Sequence, residues 1–249
     1  MTYKTVCDIS RHNGEIDFNV MKAAGAVGVA IRATVGDFYT DPRFYTNWDG
    51  AEEAGLFRTA YHVTRPMSNA ERQLQRFKDV VGDRRPNFGK YGWVSDNECD
   101  DDASIREITD LLWRSMSELT EHAGVPAFNY TRAAWFNRHT FAGDWQRWPL
   151  WVARYTDLMV WPWTTFQTDI YRPRDYDDWT VWQWSADGNL RGREFGALPE
   201  AGAPEPSMDL NRAKPDIFPE PKIYQTFIPN ISKAYKKITS SVRTIYRAC

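Results

Sequence analysis

Asp96 and Glu98 stand two residues apart in the run Trp93-Val94-Ser95-Asp96-Asn97-Glu98, directly after an apolar stretch. Side chains alternate across a strand with period two, so both carboxyls project from one face. Two acids on one face repel each other, and a chain seldom sets them there for stability alone. Such a pair can raise one carboxyl pKa while the other group stays charged, which is what acid-catalysed glycoside hydrolysis needs. A D-x-E on a surface loop looks the same in sequence, so the rest of the chain must give the pair its meaning.

The elements that position the pair alternate. Thr5–Ile9 reads as a strand ending near Asp8, and Asp17 caps a short helix that closes at Gly25. Val27–Thr34 is a second strand, and Asp41-Pro42 opens a helix that Gly55 ends. Arg58–Val63 is a third, and Ser68 with Glu71 forms a capping box for the next helix. The fourth is Tyr91–Glu98, followed by a second capping box, Ser104 with Glu107, on a long helix ending near Gly124. Val125–Thr131, Leu150–Tyr155 and Trp179–Trp184 are further strands. Strands alternating with helices imply a parallel sheet with right-handed crossovers. The number of units points to an α/β fold of the modified TIM-type β/α barrel, with some helices missing in the second half.

Bulk properties narrow the function. The net charge of −2 argues against a general nucleic-acid binder. Aromatic residues make up 15% of the chain, enough for sugar-stacking platforms, although a large aromatic core accounts for most of them. Cys7, Cys99 and Cys249 form no C-x-x-C, so this is not a disulfide scaffold, and Cys7 and Cys99 read as packing residues. No transmembrane run is present. The N-terminus shows no signal-peptide pattern, so any action outside a cell is expected to depend on another route of export.

Residues 1–213 read as the barrel and residues 214–249 as a Pro-rich linker with a basic amphipathic helix. In the latter, Ile231, Tyr235, Ile238, Val242 and Ile245 recur at helical spacing, with Lys233, Lys236, Lys237, Arg243 and Arg247 between them. Such a helix either docks with a solvated basic face or attaches to an anionic wall polymer, a membrane surface or a partner.

In a parallel barrel, functional residues gather at the C-terminal ends of strands. Asp8 ends the first strand, Tyr61 and His62 the third, Asp96 and Glu98 the fourth, Asn129 and Tyr130 the fifth, and Gln183 and Trp184 a late one. Asp209 follows a Gly/Pro-rich stretch and is expected to return to the same rim. Four acids from distant segments converging on one mouth are much harder to obtain by chance than one D-x-E.

Asp8-Ile9-Ser10, Ala60-Tyr61-His62, Asp96-Asn97-Glu98, Pro149 to Tyr155, Trp182-Gln183-Trp184-Ser185 and Asp209-Leu210-Asn211-Arg212 together resemble glycoside hydrolase family 25. These are the Chalaropsis-type lysozymes, common as phage endolysins and bacterial autolysins. The matches run in family order across about residues 5–212. The resemblance implies a muramidase that cuts the β-1,4 bond between N-acetylmuramic acid and N-acetylglucosamine in peptidoglycan. It makes Glu98 the proton donor and gives Asp96 the acetamido group or the developing positive charge to stabilise. Asp8 and Asp209 line the same site, and Tyr61, Tyr130 and Trp184 are candidate sugar contacts. A close carboxylate pair suits retention of configuration and a wide one inversion. Two positions depart from the family pattern: Val35 stands where it usually has Glu, and Asn97 stands within its usual Asp-Val-Glu.

The rival functions are a non-catalytic wall-binding or virion structural protein and a chitinase-like barrel. Keeping all four acids argues against the first, since a binder has no need of an unfavourable carboxylate pair. Chitinase-like barrels carry a longer acidic run before D-x-E than Gly92-Trp93-Val94-Ser95. His62 reads as a satisfied core or rim histidine because no second His lies at ligand spacing, and neither metal nor cofactor is expected. No G-x-S-x-G elbow supports Ser-His-Asp chemistry. The expected setting is the cytoplasm of a phage host until release to the wall, or a virion.

Overall fold

The apolar runs close into a barrel. The computed structural model describes residues 2–155, 172–186, 191–198 and 206–219. Its barrel strands are β1 (Lys4–Ile9), β2 (Ala26–Val35), β3 (Phe57–Val63), β4 (Val94–Asp96), β5 (Phe128–Thr131), β6 (Leu150–Ala153), β7 (Val181–Ser185) and β8 (Asp209–Ala213). Neighbours from β1 through β7 pair in parallel. Strand β8 closes the ring antiparallel to both β7 and β1. This last strand, in a segment not read from the sequence as a strand, runs against the parallel ones for a simple reason. A chain that turns back at the rim where β7 ends needs no helical crossover. The reversal also puts Asp209 at the start of its strand, on the same rim as the C-terminal ends of the others.

Helices α1 (Phe18–Ala23), α2 (Phe44–Glu53), α3 (Ala70–Val81), α4 (Ile105–Ala123) and α5 (Ala133–His139) surround the first half. No α-helix follows α5 among the described residues. Asp17 caps α1, and Ser104 with Glu107 forms the capping box of α4, as the sequence predicts. Two expected starts are displaced. Helix α2 begins at Phe44, because the Asp41 carboxylate turns inward to Arg32 Nε (2.8 Å) and to the Arg11 and Arg43 amides. Helix α3 is capped by Asn69, whose side chain accepts from the Arg72 amide, while Ser68 Oγ accepts from the Asp37 amide.

Alternation along each strand divides the interior into two apolar regions. One face gives an outer layer against the helices, including Cys7, Ile9, Val29, Ile31, Leu150 and Val152. The other fills the barrel with Val6, Ala30, Val94, Phe128, Trp151, Val181 and Ala213, joined by Phe88, Ile217 and Phe218. Gly89 (φ +68°) lets Ile217 lie close, since a Cβ there would overlap the Ile217 carbonyl. The compact unit runs from Met1 to Phe218. The basic segment predicted beyond it lies outside the described residues.

His62 belongs to the outer layer and is fully buried. The Gln73 amide is oriented by the Arg65 backbone, so its oxygen accepts from His62 Nε2 (3.1 Å). Nδ1 then accepts from Thr34 Oγ1 (2.8 Å), which fixes a neutral ring. Burial pushes its pKa down to about 4. An unfolded chain takes up this proton below about 6.5, so the stability contributed at neutral pH is lost as pH falls from about 6.5 towards 4. The full shift is worth about 3 kcal/mol. Urea unfolding at pH 7 and pH 4.5 is expected to show a markedly smaller acid loss for His62→Gln than for the native chain. Equal losses would remove this role.

Candidate active site

The barrel lining changes from apolar to polar towards the C-terminal rim. Two residues beyond Val6, Ala30, Val94, Phe128 and Val181 stand Asp8, Arg32, Asp96, Tyr130 and Gln183. On the reversed strand the order inverts, so Asn211 and Asp209 precede Ala213. Apart from Asn211, these polar ends, with Tyr61, Glu98, Tyr155 and Trp151, line a cleft of about 430 Å³. The four acids read from the sequence therefore share one site. Regular pairing in β4 stops at Asp96, short of the expected Glu98. The Asn97 amide still donates to the Tyr130 carbonyl (2.9 Å), so the extended backbone carries the alternation to Glu98.

Asp8 and Asp209 face each other across the β1–β8 pair. Their side chains interact, and the interaction lowers the Asp8 pKa. Asp8 Oδ2 also accepts from Asn211 Nδ2 (2.7 Å) and Gln183 Nε2 (3.1 Å). Burial nevertheless raises its pKa. Gln183 Oε1 in turn accepts from the hydroxyls of Tyr130 (2.7 Å) and Tyr155 (3.1 Å). Trp151 Nε1 donates to Asn211 Oδ1 (2.7 Å). This network fixes the floor of the cleft.

Asp96 has the least compensated carboxyl. Its Oδ1 is buried without a hydrogen-bond partner. Burial, then the Glu98 and Asp8 charges, hold its pKa well above the carboxylate range, with Arg32 and Arg132 opposing. Glu98 is more open, its side chain 31% exposed, and Arg132 Nε lies 3.1 Å from its Oε2. Burial raises its pKa, Arg132 lowers it and Asp8 raises it further. Both carboxyls are thus held above their ordinary values, each chiefly by burial.

Asn97 faces away from the cleft into a buried polar chain. Its Oδ1 accepts from Ser95 Oγ (2.9 Å), and its Nδ2 donates to Asn129 Oδ1 (2.8 Å). Asn129 donates to the Tyr176 hydroxyl, and Ser95 Oγ meets Thr64 and Ser115. Asn97→Val strands these partners. A loss of about 1–3 kcal/mol in urea unfolding is expected, and unchanged stability would contradict it.

Of the predicted sugar contacts, Tyr61 and Tyr130 line the cleft. Trp184 does not line it. Alternation that turns Gln183 inward turns Trp184 outward, where it packs against the outer apolar layer. Val35 does line the cleft, so this wall lacks an acid there. Arg32, Arg132, Asn211, Trp151 and Tyr155 belong to the site and were not singled out as site residues. Asn211 could have been found by counting in twos from Asp209. Arg132 has no local signal, because only the fold brings it to Glu98.

Neither thiol is activated. Cys7 is buried with its pKa well raised by burial, and Cys99 is pushed up to about 11, chiefly by burial. Cys249 lies outside the described residues. Among the described residues, no cluster of three or more His, Cys, Asp or Glu could hold a metal, and no helix is long and apolar enough to cross a membrane.

Comparison with known proteins agrees with this arrangement. Lysozyme M1 of Streptomyces globisporus is 29% identical over 200 residues, covering 74% of this chain and 63% of that protein. The chain thus spans less than two thirds of that relative. The bacterial lysozyme from Streptomyces coelicolor has the same fold, with a TM-score of 0.66 at 24% identity over 86% of this chain and 93% of that one. The CTP1L endolysin also shares it, with a TM-score of 0.64 at 17% identity over 86% of this chain and 67% of that one. The family model of Glycosyl hydrolases family 25 matches residues 7–193, most of the barrel, and the chain belongs to that family.

Proposed function

We propose that this protein is a lysozyme-type muramidase, hydrolysing the β-1,4 bond between N-acetylmuramic acid and N-acetylglucosamine in peptidoglycan. The observation that carries this reading is the cleft itself: Glu98 at its mouth and Asp96 deeper within, on a floor of aromatic and amide groups. Glu98 gives its proton to the glycosidic oxygen as the bond breaks. Asp96 supplies negative charge to the acetamido group or to the positive charge developing at the anomeric carbon. Tyr61 and Tyr130 offer ring faces and hydroxyls to the sugars. The test is reducing-end release from purified peptidoglycan and from chitin. Release from peptidoglycan with little from chitin supports the reading. Preference for chitin, or binding without release, overturns it.

We further propose that it acts as a phage lysin, an idea supported by its sharing a fold with an endolysin. Cytoplasmic expression is then harmless until a membrane-permeabilising agent is added, and lysis follows only afterwards. Lysis without the agent would oppose this setting. The basic residues between Lys233 and Arg247 suit an anionic wall polymer or membrane surface. Removing residues 220–249 is expected to weaken sedimentation with walls or anionic vesicles, most at low salt. Unchanged binding would sink that role.

A further inference from the structure

The loop that follows Glu98 is held in an unfavourable form. Asp101 (φ 46°) and Asp102 (φ 58°) are the non-glycine residues with positive φ among the described ones, and they are adjacent. Left-handed backbone is disfavoured for L-residues, though less for Asp than for most, and two such residues in a row persist where surroundings impose them. Here the imposing group is Arg65. Its Nε lies 3.1 and 3.0 Å from the two Asp101 carboxyl oxygens, and its Nη2 lies 2.5 Å from Oδ1. The Met67 amide adds a bond to Oδ2 (3.1 Å). Asp101 is nearly buried, its side chain 10% exposed. A fork onto a buried carboxylate is a strong, directional contact.

Arg65 is itself anchored. Its amide donates to Gln73 Oε1 (3.0 Å), and its carbonyl accepts from Gln73 Nε2 (3.1 Å). On the far side of the loop, His139 Nε2 lies 3.2 Å from Asp100 Oδ2. The chain from Glu98 to Asp101 is thereby clasped from the β3 end on one side and from α5 on the other. Among the described residues, Glu98 pairs with Arg132, which is half-exposed. Its approach to the cleft thus depends on the backbone that carries it.

We propose that Arg65 is a positioning residue for Glu98: its fork onto Asp101 holds residues 99–102 in their strained course and so sets the direction in which Glu98 enters the cleft. The inference rests on Glu98 being the proton donor of the proposed reaction. Arg65→Ala is expected to lower kcat on peptidoglycan at least tenfold with KM within twofold. Arg65→Lys recovers part of the loss, since an ammonium makes a point contact where the guanidinium makes a fork. Asp101→Gly relieves the left-handed strain yet removes the clasp, and it loses kcat like Arg65→Ala.

A second measurement follows Glu98 without using activity. Carbon-13 NMR of labelled glutamate carboxyls, assigned by difference from Glu98→Gln, reads its titration. In Arg65→Ala and Asp101→Gly this titration is expected to move down towards that of an ordinary glutamate, as the side chain swings to water. Folded variants with unchanged kcat and unchanged Glu98 titration would overturn the proposal. A raised KM with native kcat would also overturn it, making Arg65 a substrate contact. If Arg65→Ala fails to fold, Arg65→Lys and Asp101→Gly decide the matter by the same readouts. If the native chain releases no reducing ends, the muramidase reading falls, and the Glu98 titration still decides the clasp.

Discussion

Glu98→Gln is expected to lower kcat on peptidoglycan about 10²–10⁴-fold, the usual contribution of a positioned general acid. Gln keeps the volume and an oxygen that can accept from Arg132, 3.1 Å from Glu98 in the native site. The fold and KM should therefore change little. The loss concentrates in the step where the glycosidic oxygen needs a proton. An aryl glycoside, whose leaving group departs without one, should lose far less. Because burial raises the Glu98 pKa, native activity is expected to persist above the usual carboxylate range and to fall as pH rises through that raised value. A native-like kcat in the folded variant, on a substrate with a poor leaving group, would move the acid role elsewhere.

Asp96→Asn separates the other half of the chemistry. A fixed charge aimed at a developing charge is worth about 10²–10³-fold in kcat, and the aryl glycoside offers no rescue here because the charge still develops. The same substitution should stabilise the fold at neutral pH. Asp96 carries a buried, unpartnered oxygen and a pKa raised by burial and by Glu98. A carboxyl with a raised folded pKa contributes most below its unfolded pKa and loses that contribution as pH rises through the folded value. The gain from Asn thus appears at neutral pH and fades in acid. Higher melting temperature with lower kcat is the signature of strain kept for function. A variant that loses both would make Asp96 a structural residue.

The acids were legible because strands impose period two. Asp8, Asp96 and Asp209 fall on the inward face of their strands, and the C-terminal rim of a parallel barrel collects them. The same rule misled at Trp184. Gln183 and Trp184 sit side by side in the chain, and only one of two neighbours can face the cleft. Helix starts were legible where one capping residue had no competitor, as at Asp17 and Ser104. They slipped at Ser68 and Asp41, whose oxygens have partners elsewhere in the fold. What remained hidden is long-range. Arg65 meets Asp101 across 36 residues of sequence, and Arg132 reaches Glu98 from the next strand end. No local pattern marks such pairs. The reversal of β8 was hidden too, since a Gly/Pro-rich connection does not state which way the next strand runs.

The central claim is that this cleft cuts the muramyl bond, and the identity of the new reducing end tests it most directly. Purified peptidoglycan is digested, the products are reduced with borohydride, and the terminal alditol is identified by mass spectrometry. The account predicts muramicitol in the digest of the native chain and its absence with Glu98→Gln. Glucosaminitol as the terminal alditol, or muramicitol undiminished in the Glu98→Gln digest, would contradict it.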